Sequence, residues 1–79
     1  MNKQQAMQQA HIFINDMYDL GDDEIVILDS ESVETDSSWI FRYDSRLFVE
    51  TGNPLYMVQI EYPVEVQKAD GSCQLNMQN

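Results

Sequence analysis

The chain has 79 residues, 43% of them hydrophobic, and its 14 acidic against 4 basic side chains give a formal charge of −10 at pH 7. A chain of this length forms one domain that buries only about 60 to 65% of the surface its unfolded form exposes, so its stability margin is small. The acidic excess disfavours nucleic acid and anionic membranes as partners, and the single cysteine, Cys73, excludes an internal disulfide or a cysteine-based zinc site.

The N-terminal stretch MNKQQAMQQAHIF lacks the charged start, apolar run and small-residue cleavage site of a secretory signal, which leads us to expect a cytoplasmic protein. Ala6, Ala10, Phe13, Ile14, Met17 and Tyr18 recur at helical spacing, so a helix is expected over about 2–20, with Gly21 as its stop. His11 lies at the edge of that stripe, where a half-exposed packing role outweighs a ligand role. Ile12 falls on the opposite, polar side.

Beyond the helix, Ile25-Val26-Ile27-Leu28 is too short for a membrane span and β-branched enough for a strand. It runs into an acidic, serine-rich stretch carrying Asp29, Glu31, Glu34 and Asp36, read as a solvated hairpin loop. In the next strand Trp39, Phe41 and Tyr43 point one way, while Ile40, Arg42 and Asp44 point the other. Three aromatics on one side predict a core face, with Arg42 and Asp44 outward. A short Leu47-Phe48-Val49 strand is expected after a turn at Asp44-Ser45-Arg46, followed by a loop at Thr51-Gly52-Asn53-Pro54.

Residues 55–62 alternate again, with Tyr56, Val58, Ile60 and Tyr62 on one side, and Pro63 marks a bend or edge. The last hairpin, with Asp70-Gly71 as a two-residue turn, sets Val66 opposite Leu75 and Val64 opposite Met77, which puts every apolar side chain on one face. Together these elements predict one α+β domain over 1–79, an N-terminal helix packed on a four- to five-stranded antiparallel sheet within residues 24–77.

Chemistry is sparse. Gly21, Gly52 and Gly71 are too far apart for a phosphate loop, the carboxylates lack the spacing of a calcium loop, and one histidine without a strained nucleophile turn gives no catalytic triad. No cofactor or metal site is expected, and an enzyme is disfavoured. Four scattered cations, Lys3, Arg42, Arg46 and Lys68, cannot neutralise a run of phosphates. Protein recognition is what remains. The acidic residues supply steering towards a basic partner, although a merely solvated acidic surface accounts for them equally well. Trp39 reads foremost as core, whereas Tyr56 and Tyr62 fit core or interface alike. The partner-binding candidates are therefore Asp29, Glu31, Glu34, Asp36, Arg42, Asp44, Tyr56 and Tyr62.

The segment Trp39-Ile40-Phe41-Arg42-Tyr43 through Leu47-Phe48-Val49-Glu50-Thr51-Gly52 resembles the Trp-x-Phe, aromatic, Leu/Val-Glu-Thr-Gly pattern of the immunity protein 35 (YrhB-like) family. Tyr62-Pro63-Val64 through Lys68-Ala69-Asp70-Gly71 is similar to that family's following hairpin, although Ile60 and Asn53 depart from its pattern. The resemblance implies a cytoplasmic, non-enzymatic immunity protein of a bacterial polymorphic toxin system, which binds one cognate toxin and occludes its active site or substrate surface. Two other readings stand beside it: a small chaperone-like or structural interaction domain, and an acidic DNA mimic. Whether the chain is a monomer or a homodimer stays open, because an edge beside Pro63 could pair with a second copy or with the partner.

Overall fold

The computed structural model describes residues 2–18, 21–58 and 62–76. The helix α1 (Lys3–Met17) is followed by strands β1 (Ile25–Glu34) and β2 (Ser38–Ser45), a short helix α2 (Arg46–Thr51), a 3₁₀ turn (Pro54–Tyr56), and strands β3 (Val64–Gln67) and β4 (Cys73–Leu75). The four strands form an antiparallel meander in the order β1-β2-β3-β4, so neighbours in sequence are neighbours in the sheet. This is the expected α+β layer. Among the described residues no helix is long and apolar enough to cross a membrane.

Helix α1 begins with a capping box: the Asn2 side-chain Oδ1 accepts from Gln5 N at 2.8 Å, and the Gln5 side-chain Oε1 accepts from Asn2 N at 3.1 Å. Ala6, Ala10 and Ile14, spaced by four, are fully buried against the sheet, and the two alanines let the helix backbone lie close to it. The helix stops before its expected limit. Tyr18 turns extended while its N–H still bonds to the Ile14 carbonyl, so Gly21 sits beyond the cap; Asp19 and Leu20 lie outside the described residues. Met17, assigned to the apolar stripe, is exposed, and Ile12 is exposed as expected.

The core joins those helix residues to Ile25, Phe41, Tyr43, Val64 and Val66, with Trp39 packed partly buried at its edge. Trp39 lies parallel to Phe41 with ring centroids 6.4 Å apart, and Tyr43 meets Tyr18 at 6.2 Å. The alternation in β2 thus selects the face that α1 covers.

Pairing of β1 with β2 runs in two blocks, Ile25↔Ser45 to Leu28↔Arg42 and Val33↔Ile40 to Glu34↔Trp39. Between them Asp29–Ser32, four residues, stand against Phe41 alone, a bulge with three residues in excess. An odd excess exchanges the two faces of the strand, so Glu34 falls on the same face as Trp39. The acidic stretch is therefore mostly strand and bulge. Only Asp36-Ser37 form the turn, closed by Thr35 N to the Ser38 carbonyl at 2.9 Å and by Ser38 N to Thr35 Oγ1 at 2.9 Å.

Three sequence expectations fail locally. Leu47-Phe48-Val49 is helical: Ser45 caps α2 by accepting from Phe48 N at 3.0 Å, and Gly52 ends it at φ 71°, a left-handed conformation that glycine adopts without strain. Residues 54–56 form the 3₁₀ turn, started by Pro54 and by Asn53, whose side chain accepts from Leu55 N at 3.0 Å; residues 57, 58 and 62 are not strand, and 59–61 lie outside the described residues. The last hairpin pairs Val66 with Cys73 and Val64 with Leu75, two residues short of the expected register. Its loop is the five residues 68–72, with Gly71 at φ 74° and its N–H bonded to the Gln67 carbonyl at 2.8 Å. A shift of two preserves the face, so Val64 and Val66 are buried nonetheless. Met77 lies outside the described residues.

Candidate functional site

The eight residues singled out from sequence do not form one patch. Asp29 and Glu31 sit on the bulge, Glu34 in the pairing block after it and Asp36 in the turn, and all four are exposed. Two of them are ion-paired: Asp29 with Lys3, and Glu34 with Lys68 at 2.5 Å. The Lys68 ammonium also lies 5.2 Å from the centre of the Trp39 ring, so this lysine ties the turn to the core edge. Among the described residues Glu31 and Asp36 have no ion pair, which leaves them the most available charge of the group. Arg42 is exposed, opposite Leu28, on the sheet face that α1 leaves uncovered. Tyr62 is half-buried and its carbonyl accepts from Tyr43 Oη at 3.3 Å.

Asp44 is a correction. Alternation points it to solvent, yet it is only 5% exposed. Its Oδ1 accepts from Val58 N at 2.8 Å and from Ser45 N at 2.9 Å, because the segment after the 3₁₀ turn passes over the end of β2 and covers it. Its neighbour Ser45, 1% exposed, donates its hydroxyl to the Tyr56 carbonyl at 2.6 Å while capping α2. Two buried polar side chains thus fix the backbone of 56–58, and Asp44 is a structural anchor where a contact residue was expected.

That anchored backbone turns its side chains outward. Leu55 is 87% exposed, and its chain neighbours Tyr56 and Met57 are exposed with it. Leu47, Leu55, Tyr56 and Met57 line an open depression of about 370 Å³ whose rim includes Asp22 and Asp23. A second, more polar depression of about 580 Å³ shares Asp23 and is bordered by Asp16 and Glu24. Desolvation acts to raise the pKa of Asp23, but the N–H groups of Glu24 and Leu47, the Ser45 hydroxyl and the Arg46 charge outweigh it, and the carboxyl titrates below its ordinary range. Arg46 is held by this carboxylate and by the Asp22 carbonyl at 3.4 Å. Sequence reasoning selected Tyr56 and missed Leu55 and Met57. The turn-forming run Gly52-Asn53-Pro54 before them was the available sign that no strand begins there.

Groups suited to covalent chemistry are poorly placed. Burial pushes the Cys73 thiol above its usual pKa, the reverse of what a nucleophile requires. The His11 Nε2–H donates to the Ile25 carbonyl at 3.0 Å, a hydrogen bond that ties α1 to β1. Among the described residues no group of three or more histidine, cysteine or carboxylate side chains could hold a metal ion.

A family model described as Immunity protein 35 matches residues 4–79. The chain belongs to the immunity protein 35 family. No curated protein and no solved structure matches it. In this immunity protein 35 chain the match spans every element from α1 to β4, the anchored segment included, and membership points to a toxin-neutralising role for the domain as a whole.

Proposed function

We propose that the protein is a non-enzymatic cytoplasmic immunity protein that binds one cognate bacterial toxin and neutralises it by covering its active site or substrate surface. Family membership over residues 4–79 is the observation that carries this reading. The physical properties agree with it. A domain with formal charge −10 attracts a basic partner through long-range steering, which raises the encounter rate without any specific contact. Glu31 on the β1 bulge and Asp36 in the β1–β2 turn, with Asp29 and Glu34, supply an exposed part of that field.

The test is co-expression with the product of the neighbouring gene. Protection of the cells, and a complex recovered from them, is the expected result. A neighbour that is harmless alone, or that remains toxic beside this chain, refutes the proposal. Neutralising Asp29, Glu31, Glu34 and Asp36 together slows association and flattens its salt dependence; an unchanged association rate removes the acidic turn from the mechanism.

A further inference from the structure

Apolar side chains in water are ordinary when single and informative when grouped. Here Leu55, Tyr56 and Met57 are consecutive and exposed, Leu47 lines the same depression, and the backbone beneath them is held by the buried Asp44 and Ser45. Further bonds stiffen the same turn: Asn53 Oδ1 to Leu55 N at 3.0 Å, Tyr56 N to the Asn53 carbonyl at 3.0 Å, and Met57 N to the Pro54 carbonyl at 3.2 Å. A flexible loop would fold such side chains inward. This one is fixed with them outward, and a group already ordered before contact loses little entropy on binding.

The charge around the ridge selects its occupant. Asp16, Asp22, Asp23 and Glu24 border the two depressions beside it, and the cation at hand, Arg46, is engaged by Asp23. A second copy of this chain would set that acidic rim against itself. A protein with an apolar recess bordered by lysine and arginine fits the ridge on both counts, with an apolar centre inside a charged rim.

Resting on the immunity reading above, we infer that the Leu55–Met57 ridge, at the end of β2 opposite the acidic turn, is the anchor that docks into a basic-rimmed apolar recess of the toxin. The turn and the ridge then divide the labour. Charges on the turn set the association rate, and the ridge sets the dissociation rate.

The experiment measures association and dissociation rates with the purified product of the neighbouring gene, using wild type, Leu55→Asp, Leu55→Ala with Met57→Ala, and Ile12→Gln as an exposed apolar control on the outer side of α1. Dissociation accelerated by about tenfold or more in both ridge variants, with an intact far-UV spectrum and wild-type behaviour of Ile12→Gln, supports the inference. The alanine pair decides the question should Leu55→Asp fail to fold. Wild-type dissociation from the ridge variants overturns the inference and leaves the immunity reading standing. Wild type that neither binds nor protects against this toxin overturns the immunity reading and the ridge with it. Loss of self-association in Leu55→Asp with unchanged toxin binding assigns the ridge to a second copy and overturns the inference alone.

Discussion

Replacing Asp44 by alanine removes an acceptor from two backbone N–H groups, of Val58 and Ser45, at a position that is 5% exposed. A hydrogen bond to a charged acceptor contributes about 1.5 to 3 kcal/mol, and a stranded buried donor carries its desolvation cost. The Val58 bond dominates because it spans 14 residues, whereas the Ser45 bond is to the adjacent residue. Removing one negative charge from a chain of formal charge −10 acts in the opposite direction, by roughly a few tenths of a kcal/mol across a screened surface. The hydrogen bonds win. Asp44→Ala should therefore lose about 2 to 3 kcal/mol, which for a domain of this size lowers Tm by roughly 8 to 24 °C. Asp44→Asn keeps an acceptor oxygen and should lose about 1 kcal/mol. Urea unfolding gives the two free energies, and amide exchange at Val58, Tyr56 and Met57 reports whether the ridge loosens ahead of the core. An Asp44→Ala variant within about 0.5 kcal/mol of wild type, or one in which Val58 exchanges at its former rate, refutes the anchoring role.

Ala10, fully buried between α1 and the sheet, should not accept a larger side chain: Ala10→Leu is expected to cost about 1 to 3 kcal/mol by denaturant unfolding. Gly52→Ala, at φ 71° with open space around the position of the added methyl, should lose about 1 kcal/mol from backbone strain alone and shorten the lifetime of α2 in exchange experiments. On the acid side, Asp70 is held below its ordinary pKa chiefly by the Ser72 N–H, and Asp23 is also lowered. Carboxyls depressed in the folded state stabilise it above their unfolded value of about 3.9 and lose that contribution as pH falls through the folded value, so Asp70→Asn should flatten the stability profile below about pH 4. On the alkaline side the sign reverses. Burial and the neighbouring Tyr18 hydroxyl push the Tyr43 phenol up, so its share of stability is complete below about pH 10 and is lost above it; Tyr43→Phe should blunt the alkaline limb.

Local pattern carried the architecture, and long-range contact decided the exceptions. The period-two alternation of Trp39, Phe41 and Tyr43 was enough to orient β2, since a covered face demands apolar residues there. Gly71 marked the last turn, and although the register moved by two residues, parity kept Val64 and Val66 inside. Leu47-Phe48-Val49 misled because β-branched and aromatic content was weighed above the flanking caps, Ser45 and Gly52, which define a six-residue helix. Asp44 was beyond reach for a different reason. Its burial depends on where residues 56–58 cross β2, and nothing in the spacing of the chain encodes that crossing. The candidate site inherits the same division: the acidic residues are legible as composition, whereas the ridge depends on contacts from Asp44 and Ser45, more than ten residues before the backbone they hold.

The bulge at Asp29–Ser32 gives the sheet two independently fixed registers, one set by Ile25 and the core, the other by the Asp36-Ser37 turn and the Lys68 clasp. Residues gained or lost within the bulge are absorbed there and leave both blocks of pairing in place. The acidic end of the domain can thus change in length and charge by substitution or insertion at the bulge without moving the pairs that align Ile25 and Ile27 with the core.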